Sequence, residues 1–140
     1  MQPSREPMRI VPHLPSAPEP LGPYSHCVVA NGLVFISAQT PLAPGASPGE
    51  WAATEAGGQT RQCLRNIREI LQELGLGLED IVKTTVFLRD PKDFKAMNDA
   101  YRESFPEEPP ARSTAMLGVD APGLLVAIEA IATYAPRVEE

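Results

Sequence analysis

"LLVAIEAIATYA" (residues 124–135) is apolar almost throughout, yet it carries Glu129 at its centre. The stretch reads as a core strand. Strand alternation puts Leu124, Val126, Ile128, Ala130 and Ala132 on one side, the more continuous core face. Leu125, Ala127, Glu129, Ile131 and Thr133 lie on the other. An unpaired charge in such a setting is expensive, so Glu129 needs a partner, a proton or a job.

Working outward, "ARSTAMLGV" (111–119) is the strand before it, joined across "DAPG". "IVKTTVFL" (81–88) is β-branched and aromatic and predicts a further strand. Between these two lies a helix with Asp90 as N-cap, Pro91 at its first position and a buried stripe of Phe94, Met97, Tyr101 and Phe105. A longer helix spans Gly58 to Leu74, with Cys63, Leu64, Ile67, Ile70, Leu71 and Leu74 on one face. Asn31-Gly32 separates two apolar runs near 25–30 and 33–38, a strong hairpin signal because both residues tolerate positive φ. The order is β-β-α-β-α-β-β. It predicts an α+β domain, a mixed sheet with two helices on one face. The other face is left apolar, which implies an oligomeric partner. Residues 1–16 read as an extended arm, 17–136 as the domain and 137–140 as a tail.

The 140-residue length fits one domain with one core. A formal net charge of −6 argues against nucleic acid as a partner, since phosphate binding needs clustered Lys and Arg. No apolar run is long enough for a membrane span, and no signal-type h-region opens the chain. Cys27 and Cys63 are far apart and read as reduced thiols of a cytoplasmic protein, although one disulfide is compatible with the sequence. With two histidines and no Cys/His cluster, no metal site is expected.

Several residues carry possible chemistry. Arg112 follows the rigid Pro109-Pro110, and its planar fork suits a carboxylate. That carboxylate is either Glu129 itself or a substrate's, leaving Glu129 to handle a water. A plain structural ion pair is the bland alternative. Tyr24 follows the Gly22-Pro23 turn and either walls a pocket or packs on its own turn. Ser37 ends a hairpin strand, where a ligand or a backbone carbonyl could take its hydroxyl. Asn98 sits mid-helix, against propensity, and Thr114 shares a strand face with Arg112.

"LGPYSHCVVANGLVFISAQTPL", "QTRQCLRNIREIL", "DIVKTTVFLRDPKDFKAMNDAY", "PPARST" and "VAIEAIATY" follow one another in the order seen in the Rid family, the reactive intermediate deaminases. Over roughly residues 17–135 the chain resembles RidA-type members. The resemblance implies a chorismate mutase-like homotrimer with clefts between neighbouring subunits. It implies hydrolysis of 2-imino and 2-enamino acids (2-iminobutanoate, 2-iminopropanoate) to 2-oxo acids and ammonia, without metal or organic cofactor. It assigns Arg112 to the substrate carboxylate and Glu129 to the attacking water. Tyr24, Ser37, Asn98 and Thr114 become cleft-lining residues. Ala38 stands where many relatives have glycine, and Thr114 where many have cysteine. Loop 43–57, with Trp51, matches no family pattern. Two alternatives use the same arginine: a non-catalytic trimeric binder of small carboxylates, and a deaminase specialised for another enamine or imine acid. A ribonuclease reading, a label that some relatives carry, conflicts with the acidic charge.

Overall fold

The computed structural model describes residues 9–135. The elements are β1 (Cys27–Ala30), β2 (Leu33–Gln39), α1 (Ala56–Glu73), β3 (Ile81–Leu88), α2 (Phe94–Ser104), β4 (Ala111–Met116) and β5 (Val126–Thr133). They follow the expected order. The five strands form one mixed sheet in the order β1-β2-β5-β3-β4. Only β3 and β4 pair in parallel. The first turn is as the sequence dictates: Asn31 and Gly32 have φ of 55° and 73°, so a two-residue loop reverses the chain. Residues 1–8 of the expected arm and the whole 137–140 tail lie outside the described residues. The rest of the arm is tied down in part, because Ile10 bridges Val29.

The main core lies between the sheet and both helices. Val34, Val86, Val126 and Ile128 from the strands meet Leu64, Ile67, Leu71 and Met97 from the helices, and all are excluded from water. Full burial of each such side chain is worth about 1.5–3 kcal/mol. Phe94 departs from the expected stripe of α2. It is 45% exposed, because Asp90 caps a separate 3-10 turn, Pro91–Asp93, and the α-helix begins only at Phe94.

The last two strands, although consecutive in the chain, are not neighbours in the sheet. A strand–helix–strand crossover returns the chain in its starting direction, so β4 lies parallel beside β3, and β3 separates it from β5. The alternation also breaks at the start of β5. Leu124 packs in a small cluster with Leu117 and Ala127 on the open sheet face, while Leu125 packs on the main core. The cause is Gln59 of α1, whose amide is wholly buried. Its Oε1 accepts from the backbone N–H groups of both Leu125 (2.8 Å) and Val126 (3.2 Å). Consecutive N–H groups of a regular strand point to opposite sides, so the chain is not yet extended there. From Val126 onward the alternation holds.

Nor is the open face uniformly apolar. The segment 117–124 and Trp51 cover part of it. The remainder mixes Val28, Phe35 and Ile131 with Ser37, Lys83, Thr85 and Glu129 around a recess of about 300 Å3.

Gln59 also donates from Nε2 to the carbonyls of Ala53 (3.0 Å) and Gly123 (2.8 Å). Gln59→Leu keeps the volume roughly but strands four backbone groups, so a loss of about 3–5 kcal/mol is expected in urea unfolding. Cys27 and Cys63 are both free and buried. Burial, with Glu73 nearby, pushes the Cys27 thiol up to about 11, and burial raises Cys63 further. A raised thiol favours the protonated, folded form, so its contribution is complete below the unfolded value and is lost as pH climbs from about 9 towards 11. Native protein at pH 8 should therefore leave a thiol reagent such as DTNB unreacted, and release both equivalents only when unfolded.

Candidate active site

The sheet divides the six candidate residues into two groups. Residues paired across a ladder point to the same side. Arg112 is opposite Thr84, which is opposite Ala130. Glu129 is opposite Thr85, which is opposite Ser113. Arg112 therefore shares a face with Ala130 and the helices, and Glu129 projects from the other face. Two strand spacings, about 10 Å, also separate them laterally. The direct Arg112–Glu129 pair does not form within this chain, because β3 intervenes and the faces differ.

Glu129, Ser37 and Tyr24 come together on the open face. They line a cleft of about 610 Å3 with Ala38, Trp51 and Phe87. A β-bulge shapes it. Ile36 pairs with Ala130 but Gln39 pairs with Ile128, so β2 carries one extra residue beside Glu129. Ser37 and Ala38 consequently both line the cleft, where strict alternation would send one away. Ser37 Oγ donates to the Ser25 carbonyl at 2.6 Å, and Tyr24 Oη accepts from Leu21 N–H at 3.1 Å. Both side chains are thus tied to local backbone as well as facing the cleft. Glu129 is partly buried and has no hydrogen-bond or ion-pair partner among the described residues.

Arg112, Thr114 and Asn98 gather on the other side, at the edge strand β4. The Arg112 guanidinium sits 4.9 Å from the Tyr101 ring centre and 5.8 Å from that of Phe94. Among the described residues the hydrogen-bond acceptor it meets is a sulfur, Met97 Sδ at 3.9 Å. No described carboxylate pairs with it. Stacked aromatics hold the fork while leaving its N–H donors available. Burial raises the Tyr101 phenol, opposed by its 2.7 Å hydrogen bond with Thr84 and by Arg112, so it stays neutral beneath the cation. Asn98 lies between Phe94 and Tyr101 in helical spacing, and its Oδ1 is buried without a hydrogen-bond partner. Thr114 borders a recess with Phe94 and Met116.

Sequence reasoning missed three residues, Lys83, Arg89 and Gln59, and left a fourth, Trp51, without a role. Lys83, on the Glu129 face, donates to Ser113 Oγ (3.3 Å), Thr85 Oγ1 (3.4 Å) and the Thr84 carbonyl (3.1 Å). The signal was a lysine inside a β-branched strand, the same anomaly that marked Glu129. Trp51 walls the cleft and donates from Nε1 to the Pro122 carbonyl at 2.9 Å. Arg89 donates to the carbonyls of Leu117 (2.8 Å), Leu124 (3.3 Å) and Val119. With Gln59, these contacts pin the wall 117–125 at most of its turns. No local pattern foretells such carbonyl-gripping roles.

The fold and geometry define a small α+β domain with a ligand-sized, carboxylate-bearing cleft on an open sheet face and a free arginine on an exposed edge. The chain belongs to the endoribonuclease L-PSP family, whose model matches residues 14–134. It is 42% identical over 117 residues to a RutC family protein of Pyrococcus horikoshii, covering 84% of this chain and 91% of that one. It is 34% identical over 120 residues to the human 2-iminobutanoate/2-iminopropanoate deaminase, covering 86% of each. Among solved structures, a Rid-family protein from Yersinia pestis, YyfA, superposes with a TM-score of 0.80 at 36% identity, covering 89% of this chain and 98% of that one. No helix among the described residues is long and apolar enough to cross a membrane.

Arg89→Met should loosen the cleft wall without touching the cleft. We expect a stability loss of about 2 kcal/mol. Amide exchange should quicken about tenfold in 117–125 and remain unchanged in α1.

Proposed function

We propose that this chain hydrolyses reactive 2-imino and 2-enamino acids, such as 2-iminobutanoate and 2-iminopropanoate, to 2-oxo acids and ammonia. The observation that carries this reading is the pair of charged groups that have no charged partner among the described residues. Arg112 has an open fork and Glu129 an unanswered carboxylate, on opposite sheet faces. Such a pair makes sense when the exposed β4 edge of one subunit meets the open-face cleft of its neighbour. We take the assembly to be the homotrimer that the family resemblance implies. An apolar rim supports it: Met116 is 76% exposed and Val119 60%, both bordering the cleft, and Phe35 is 43% exposed on the same face.

Arg112 then binds the substrate carboxylate bidentately, which fixes C2 and removes much of the entropic barrier. The protonated imine carbon is already electrophilic. Glu129 takes a proton from water as the water oxygen bonds to C2, and the C=N bond becomes C–N. The carboxyl group then returns the proton to the amine. The C–N electrons leave with ammonia, the hydroxyl gives its proton to Glu129 as it becomes the carbonyl of the 2-oxo acid, and the ammonia takes that proton and departs as ammonium. Ser37 and Asn98 orient the substrate, Tyr24 closes one end, and Thr114 contributes through the backbone of β4. The chemistry as written needs no cofactor.

The test generates 2-iminobutanoate from a threonine dehydratase in the presence of semicarbazide. Wild type should outpace the trap. Arg112→Ala and Glu129→Gln should each lose about a hundredfold or more in kcat/KM. Co-assembled with each other, the two inactive variants should regain part of the activity, because some clefts then combine an intact Arg112 with an intact Glu129. Ligand binding without turnover in wild type would favour a non-catalytic carboxylate binder.

A further inference from the structure

We propose that Trp51 is a specificity-determining residue, walling an apolar subsite that selects 2-imino acids with bulky apolar side chains, of the kind derived from leucine, over the three- and four-carbon imino acids. The inference rests on the deaminase reading for the reaction, but the subsite stands on its own geometry. In the assembly proposed above, the cleft of about 610 Å3 is shared between the substrate and the neighbouring β4 edge that brings Arg112, so the chemistry of its own lining decides what side chain fits. Its polar side chains are Ser37 in the bulge, Thr40 just after β2, Glu129 on the strand beside them and Tyr24 in the turn before β1. Away from them the lining is carbon: Trp51, Phe87, Met116, Leu117 and Leu124, with the Ala38 methyl beside Ser37. A 2-imino acid whose reacting carbon lies at Glu129 and whose side chain runs along the Trp51 wall therefore meets carbon beyond the ethyl length.

The wall is built in advance. Trp51 Nε1 is bonded to the Pro122 carbonyl, and the ring lies over Gly123. Gly123 has a φ of +78°, and a Cβ there would come within 3.3 Å of the indole Cδ1. The turn thus both requires glycine and leaves space for the ring. Arg89 and Gln59 fix the same turn from behind. A rigid aromatic held at its polar atom offers its face at little entropic cost.

Trp51 is the only tryptophan of the chain, so it reports on its own subsite. The first measurement is its fluorescence in the full-length protein, titrated with the product analogues 4-methyl-2-oxopentanoate and pyruvate. The branched acid should change the emission at a concentration at least tenfold below that needed for pyruvate. The second compares hydrolysis of imines made by an L-amino-acid oxidase from leucine and from alanine, with catalase present and semicarbazide as trap. Wild type should favour the leucine-derived imine by tenfold or more in kcat/KM. Trp51→Ala should lower that value about tenfold and change the alanine-derived one less than twofold. Trp51→Phe, which keeps the apolar face and loses the Pro122 bond, should keep most of the preference. Equal affinities for the two oxo acids together with equal kcat/KM for the two imines would overturn the subsite and leave the deaminase reading intact. So would a Trp51→Ala variant that, still folded by circular dichroism, lost both substrates alike. Selective binding without any turnover would do the reverse, retaining the subsite and removing the reaction.

Discussion

The hydrogen bonds of Gln59 set much of what the rest of this structure depends on. A fully buried amide is tolerable only when its donors and acceptor are all used, and here they are. Two backbone carbonyls and two backbone N–H groups, from the loop before α1 and from the entry to β5, converge on one side chain. They anchor α1 to the sheet at the point where β5 begins. They also absorb the irregularity that precedes the strand, so that from Val126 onward one side is core and the other carries Glu129. The helix, the sheet and the candidate carboxylate are coupled through that single amide.

The sheet acts as a partition. It holds Arg112 against aromatic rings on the helix side of an edge strand, and Glu129 in a cleft on the open side. Neither charge has a charged partner among the described residues, an arrangement that costs stability unless something else answers it. The bulge at Ser37 and Ala38 belongs to the same logic. One extra residue in β2 turns two consecutive side chains towards the carboxylate, at the loss of one regular ladder position. The bulge, exposed apolar side chains and charges unpaired among the described residues lie on the open face and along the β4 edge.

The wall of the cleft is irregular chain, and irregular chain needs its backbone groups satisfied by something other than a ladder. Arg89, Gln59 and Trp51 supply this from three different elements. A loop fixed in that way behaves as part of the scaffold, and it positions an aromatic face as firmly as a strand would.

Much was legible in the sequence. Asn31-Gly32 fixed the first hairpin through its tolerance of positive φ. The three- and four-residue spacing of Cys63, Leu64, Ile67, Ile70 and Leu71 identified α1, and alternation from Val126 onward put Glu129 opposite the core. These are local properties, set by backbone sterics and by periods of 3.6 and 2. The rest depended on contacts between distant segments. That β3 lies between β4 and β5 follows from a crossover, and it is what keeps Arg112 from Glu129. The exchange of Leu124 and Leu125 follows from a glutamine 65 and 66 residues away, and the bulge from pairing with β5. Lys83, Arg89 and Trp51 gained their roles from the carbonyls, hydroxyls and open space that other elements brought to them. By itself the sequence determined the elements and the face on which each side chain starts. Only the tertiary structure decided which groups meet, because meeting depends on strand order and register, and neither is encoded in the period of any one segment.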